Sequence, residues 1–180
     1  MISQSFPTLA TALETAGFVA WCEPASEGSP LSSLFVMLHV DDADRRYVLQ
    51  AFDAKELATA AGSAVPELPA GLLQLTLQYP FAVRPAAFAD TARLLYRLSN
   101  LLPVGTFLLS EDEEAVCHRT MIPSDSEGVS AETLVGTLTI IRHFCVECAG
   151  LIEAVASGEM SLNEAVAKAR GQQDAAALPA

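Results

Sequence analysis

What this chain has little of narrows its function before any motif does. Only two lysines occur, Lys55 and Lys168, and the 10 basic residues stand against 22 acidic ones, a net charge of -12. A field of that sign repels phosphate backbones and anionic lipid, so neither nucleic acid nor a membrane surface is an expected partner. It suits a solvated surface or a basic protein partner. Four cysteines in 180 residues are too few for a small secreted scaffold built on disulfides. Met1-Ile2-Ser3-Gln4 lacks the basic stretch and apolar run of a signal peptide, so reduced thiols and a cytoplasmic location are expected. The longest apolar stretch, Leu134 to Ile152, is interrupted by Arg142, His143 and Glu147, each costly inside a bilayer. The chain has no GxGxxG, P-loop, GxSxG or HExxH motif. Carboxylate pairs need no motif, but these absences point away from an enzyme.

What is present describes one globular α+β domain, expected over residues 1–171, with a flexible tail over 172–180. A hydrophobic fraction of 51% over this length buries enough surface to need no disulfide or metal for stability. Ser5 and Pro7 open a helix that Gly17 closes. Phe18 to Cys22 predicts a brief strand, and Glu23 to Ser33 a loop. Leu34–Val40 and Arg46–Phe52 predict an antiparallel pair across Asp41-Asp42-Ala43-Asp44. Residues 53–71 read as a connection with one helical turn, Lys55–Ala61. Leu73, Leu75, Leu77 and Tyr79 alternate with Gln74, Thr76 and Gln78, a strand with one buried and one wet face.

From Pro85 the period becomes helical. Phe88, Ala92, Leu95, Leu98 and Leu102 form one face, and Pro103 ends the helix. Val104–Leu109 and Ala115–Ile122 predict a hairpin around the acidic tip Ser110–Glu114. Ser130 caps the longest helix, which runs to about Ser157 before Gly158. Leu134, Leu138, Ile141, Cys145, Cys148, Ile152 and Val155 line one stripe of it. Val135, Ile140, Phe144, Val146 and Leu151 widen its apolar surface enough to expect cover on more than one side. Ser161 and Glu164 form a capping box for a last helix ending near Gly171. Short connections between strands predict a largely antiparallel sheet flanked by helices.

Candidate chemistry is sparse. His143-Phe144-Cys145-Val146-Glu147-Cys148 holds a CxxC beside a histidine, the arrangement of a zinc- or thiol-dependent site. Both cysteines nonetheless lie on the apolar stripe, His143 projects about 200° away from Cys145 around the helix, and no second ligand pair exists. Core thiols that react slowly are the preferred reading, with no metal and no cofactor. His118 alternates with Val116, Thr120 and Ile122, while Cys117 and Arg119 face the other way, so no local Cys–His nucleophile pair forms. Asp41–Asp44 lacks the spaced ligands, glycine and terminal glutamate of a calcium loop and reads as turn chemistry.

The run from Ala89 to Phe107, Ala-Asp-Thr-Ala-Arg-Leu-Leu-Tyr-Arg-Leu-Ser-Asn-Leu-Leu-Pro-Val-Gly-Thr-Phe, resembles the YbjN-like family, whose helix of the "LLxxLNxxLPLGxF" kind enters a hairpin. The resemblance continues through Val129–Leu134 and covers roughly Leu34 to Ala165. It implies a fold similar to type III secretion chaperones, with helix, three strands, helix, two strands, helix. It also implies a small acidic dimer that regulates or holds a client segment and has no catalytic residues. The extra strand, the 53–71 connection and the added C-terminal helix depart from that pattern.

The function expected is therefore a non-catalytic cytoplasmic module that binds a protein partner or client. The alternative is a zinc- or thiol-dependent protein centred on the CxxC helix. The resemblance implies a homodimer through the helix Ala86–Leu102, with Leu94, Tyr96, Leu98 and Leu101 near the contact. Leu94→Glu is then expected to split the dimer and leave the fold largely intact.

Overall fold

The computed structural model describes residues 5–27, 29–60, 62, 71–123 and 128–176. In chain order the elements are α1 (Phe6–Thr15), β1 (Val19–Glu23), β2 (Ser33–Val40), β3 (Arg46–Asp53), α2 (Ala54–Ala60), β4 (Leu72–Ala82), α3 (Phe88–Ser99), β5 (Thr106–Ser110), β6 (Ala115–Pro123), α4 (Ala131–Ala156) and α5 (Leu162–Ala176). A 3₁₀ turn, Pro85–Ala87, leads into α3. The six strands form one sheet in the order β1-β2-β3-β4-β6-β5, with every neighbouring pair antiparallel. The α+β class and the antiparallel sheet are as expected.

Alternation decides which face is buried. Across the sheet, Val36 pairs with Leu49, Leu49 with Leu77, Leu77 with His118, and His118 with Phe107, and all five are buried. Leu34, Ala51, Leu75 and Thr120 make the parallel row. Leu73, Leu75, Leu77 and Tyr79 fill the core as their period of two requires, and β4 continues past Tyr79 to Ala82 through an irregularity after Gln78. Helices α1, α3 and α4 pack on this face, α1 against β1 and β2, α4 against β2 and β4, and α3 against β5.

Local signals account for most element ends. The Ser130 hydroxyl accepts from the Thr133 N–H at 3.1 Å and caps α4. After α4 the chain turns at Gly158 with φ +75°, a conformation glycine adopts without Cβ strain. The Ser161–Glu164 capping box is formed in both directions, at 2.9 and 3.3 Å. Between β2 and β3, the Asp41 carboxylate accepts from the N–H groups of Ala43 and Arg45, which is the turn chemistry expected there. Arg45 in turn clamps Glu153 of α4 with two donors at 2.5 and 2.8 Å, tying the hairpin tip to the helix.

Three expectations are corrected. The helix after Pro85 ends at Ser99, three residues before Leu102, because the Ser99 hydroxyl accepts from the Phe107 N–H and the chain is already turning into β5. Its buried face is Thr91, Leu94, Leu95 and Leu98, with Ala92 exposed. A helix wedged in the corner between β5, α4 and α5 buries a face set by three neighbours, and that face is rotated from the stripe read off the periodicity. The last helix does not stop near Gly171 but reaches Ala176, so residues 172–176 belong to it. One glycine costs a helix only about 1 kcal/mol, and the glutamines and alanines after it favour helix. Residues 63–70 of the expected connection, and 177–180 of the expected tail, lie outside the described residues.

Helix α4 is, among the described residues, the one helix long and apolar enough to cross a membrane. Its buried residues Leu134, Leu138, Ile141, Cys145, Ala149, Ile152 and Val155 make one stripe against the sheet, the packing of a core helix. The cover expected on further sides is incomplete. Phe144, Val146 and Leu151 are half-buried and Ile140 is exposed.

Candidate functional site

Because the helices that cover the sheet lie on one face, the alternate residues of every strand point away from them. One row crosses all six strands on this second face. Trp21 pairs with Phe35, Phe35 with Gln50, Gln50 with Thr76, Thr76 with Arg119, and Arg119 with Thr106. None of the six is buried. Beside it run Val19, Met37 and Val48 on β1 to β3, and Phe52, Gln74 and Met121 on β3, β4 and β6. The face is mainly apolar over β1 to β3, with Gln50 as its polar member, and mainly polar over β4 and β6, with Met121 as its apolar one. Trp21 is 37% exposed, Val19 61% and Met121 44%, a concentration of exposed large apolar groups on one side of the molecule. The rings of Trp21 and Phe35 stack with centroids 5.3 Å apart and planes within 10°. Of the described helices, α1, α3 and α4 pack on the opposite face, while the short α2 contacts β3 and β4.

At one margin lies β1, whose outer edge is unpaired among the described residues. It carries no proline, lysine or bulge, the usual devices that discourage strand addition, although it is short.

The four residues expected at a subunit contact are not one surface. Leu94 and Leu98 point into the core of the single chain, where they cannot also meet a second one. Tyr96 and Leu101 are 71% and 65% exposed and stay available. This corrects the interface assignment for Leu94 and Leu98 and reverses what Leu94→Glu is expected to do.

The CxxC helix separates its groups as the helical period requires. Cys145 is fully buried, Cys148 is half-buried at the margin of the stripe, and His143 is exposed. Burial pushes the Cys145 thiol up to about 12, more than the nearby Tyr79 hydroxyl can offset. Tyr79 donates to the Cys145 carbonyl at 3.0 Å, and burial raises the tyrosine too. Burial also raises Cys148, Cys117 and Cys22. Thiolate is the reactive form. With a disulfide-exchange reagent at pH 8, Cys145 is expected to react about 10³-fold more slowly than a free thiol, until denaturant unfolds the chain. Four rapidly modified thiols in the folded protein would contradict the packing.

His118 is buried under Gly105. Its Nε2–H donates to the Val104 carbonyl at 3.1 Å, and Nδ1 has no partner among the described residues. Burial lowers its affinity for a proton, although the Val104 bond works against that. Cys117 faces the opposite side of β6, so the adjacent pair does not form a thiolate–imidazole couple. A surface hollow of about 530 Å³ between β2 and α4 is lined by His39, Thr139, Arg142, His143, Val146 and Glu147. Among the described residues no three His, Cys, Asp or Glu side chains gather as a metal site.

The exposed sheet face was not legible in the sequence. Phe35 and Met37 alternate with Leu34, Val36 and Leu38, so β2 reads as apolar on both sides and its wet face is hidden. The one available signal was the polar set Gln74, Thr76 and Gln78 on β4, which already marked that side as solvent-facing. Comparison of the chain with family models, curated proteins and solved structures returns no match.

Proposed function

We propose that this protein is a non-catalytic, acidic binding module of the YbjN-like or secretion-chaperone type that holds a polypeptide partner on its uncovered sheet face. The observation that carries the proposal is the apolar patch opposite the main helical layer, with Val19 and Trp21 of β1 exposed and Phe35, Met37 and Val48 of β2 and β3 half-buried beside them. Six strands about 4.8 Å apart, averaging near eight residues, present a face of roughly 700 Å². That is close to the ~800 Å² each partner contributes to a standard interface. The reading includes a cytoplasmic location and self-association in which two copies meet through the outer side of α3 at Tyr96 and Leu101.

The test is cross-linked capture from the native host with the wild type and a double variant, Val19→Lys with Met121→Lys. Both side chains are exposed on the sheet face, so the charges leave the core untouched. Proteins held by the wild type and lost by the variant support the proposal. Capture of nothing, or equal capture by both proteins, overturns it.

A further inference from the structure

The polypeptide-binding reading becomes more specific at the β1 edge, and the inference here rests on that reading. The edge strand and the chain on either side of it carry charge of one sign, and a cation near it in the fold is Lys55, across a hollow lined by Ala25 and Pro30. Residues 1–44 contain no lysine or arginine but six acidic residues, Glu14, Glu23, Glu27, Asp41, Asp42 and Asp44. Glu14 lies close enough to Cys22 of β1 to raise its thiol further after burial. Glu23 ends β1 on the same face as Val19 and Trp21, because alternate residues share a face. A second copy paired antiparallel about Trp21 would set Glu23 opposite Val19 and bring no cation to it, since residues 1–44 hold none. An unpaired backbone edge, exposed apolar groups beside it and an acidic rim together fit a segment of the opposite charge.

We infer that β1 accepts an extended, basic segment of a partner polypeptide as a seventh strand, antiparallel to β1. The free N–H and C=O groups of β1 supply the ladder. Side chains of the added strand that share the open face lie over Val19 and Trp21, and a third meets Glu23. Running antiparallel, the partner is read as Lys or Arg, any residue, apolar, any residue, apolar. The cation pairs with Glu23, and the apolar groups extend the Trp21–Phe35 stack. Residues on the alternate side of the added strand run toward α1 and Glu14, which favours a second cation next to the first. β1 precedes the stretch Leu34–Ala165 that carries the family resemblance, so this edge belongs to the added part of the chain.

Trp21 is the single tryptophan, so its fluorescence reports this edge alone. The probe is the peptide acetyl-Lys-Lys-Val-Thr-Val-Thr-amide, titrated into the full chain at low salt. The expected result is a saturating change in tryptophan emission that weakens in 0.5 M salt. The same residues in an order without alternation, and a version with both lysines replaced by glutamate, should bind at least tenfold more weakly. Glu23→Lys should weaken the lysine peptide about tenfold or more and improve binding of the glutamate peptide, because it reverses the sign of a contact at a few ångströms. Four results overturn the inference: no emission change at millimolar peptide, equal binding of the reordered peptide, indifference to Glu23→Lys, or an emission change driven by protein concentration alone. The last result would place a second copy on β1. Amide spectra of the same samples separate this failure from failure of the binding reading. Peptide shifts confined to other surfaces sink the β1 site only, whereas loss of host capture by the wild type sinks the reading beneath it.

Discussion

Leu94→Glu is expected to unfold the protein. Leu94 is 2% exposed on the buried face of α3, so the substitution removes a buried leucine and places a carboxyl group in the apolar core. Loss of a buried leucine alone costs about 2–5 kcal/mol, and an unpaired buried polar group adds about 1–3 kcal/mol. The sum approaches the whole stability of many domains, about 5–15 kcal/mol. Circular dichroism with urea titration should show a chain largely unfolded without denaturant or with a midpoint near zero. Tyr96→Glu is the matched control on the same helix, since its 71% exposure predicts a change within about 0.5 kcal/mol. If two copies meet through α3, light scattering at micromolar concentration should show the wild type at twice the 19.0 kDa chain mass and Tyr96→Glu or Leu101→Glu at one. A folded Leu94→Glu protein would mean that α3 does not bury the face described. A monomeric wild type would remove α3 as a subunit contact.

Gly105→Ala is expected to be nearly as damaging, for a reason of backbone geometry. Gly105 adopts φ +76°, which L side chains rarely adopt. A Cβ there would also lie 2.5 Å from His118 Nε2, 2.6 Å from His118 Cε1 and 2.7 Å from the Arg119 carbonyl oxygen. The His118 ring cannot simply yield, because it donates to Val104 and rests edge-on against Phe107 at 5.5 Å. The Arg119 carbonyl is backbone in the middle of β6 and cannot move without the sheet. Conformational strain of about 1–2 kcal/mol and overpacking of about 1–3 kcal/mol combine to roughly 3 kcal/mol. Gly17→Ala isolates the first contribution, since Gly17 has φ +87° with open space around it. Urea midpoints should therefore fall by clearly more for Gly105→Ala than for Gly17→Ala. Equal losses would show that the contact with His118 is not tight.

The two substitutions mark where the sequence was legible and where it was not. Gly105 falls between a helix and a strand, where a glycine before Thr106 and Phe107 already signals a turn. The collision that makes it indispensable needs His118, which is 13 residues later and arrives only through the β5–β6 register. Leu94 sat on a helix whose existence was plain from its period and from Pro85. Which side of that helix faced inward was not plain, because Leu94, Leu95, Leu98, Leu101 and Leu102 surround much of its circumference. The Asp53 carboxylate accepts from the N–H groups of Lys55 and Glu56 and starts α2, within a stretch whose sequence signals only a connection.

By itself the sequence determined the elements whose signals are local. The alternation of Leu73 to Tyr79, the Ser130 and Ser161 caps, Gly158 after α4 and the acidic turn before β6 each act within a few residues. They follow from hydrogen bonding and side-chain period alone. It also determined the net charge of -12. Tertiary structure decided which apolar residues are spare. A strand with apolar groups on both sides, such as β2, is buried or exposed according to whether a second layer lies over it, and no residue of β2 encodes that. The placement of α1, α3 and α4 on one side of the sheet leaves Trp21, Phe35 and Val19 on the other. It does so because apolar burial depends on layers assembled from distant parts of the chain, whereas a cap or a turn depends only on its neighbours.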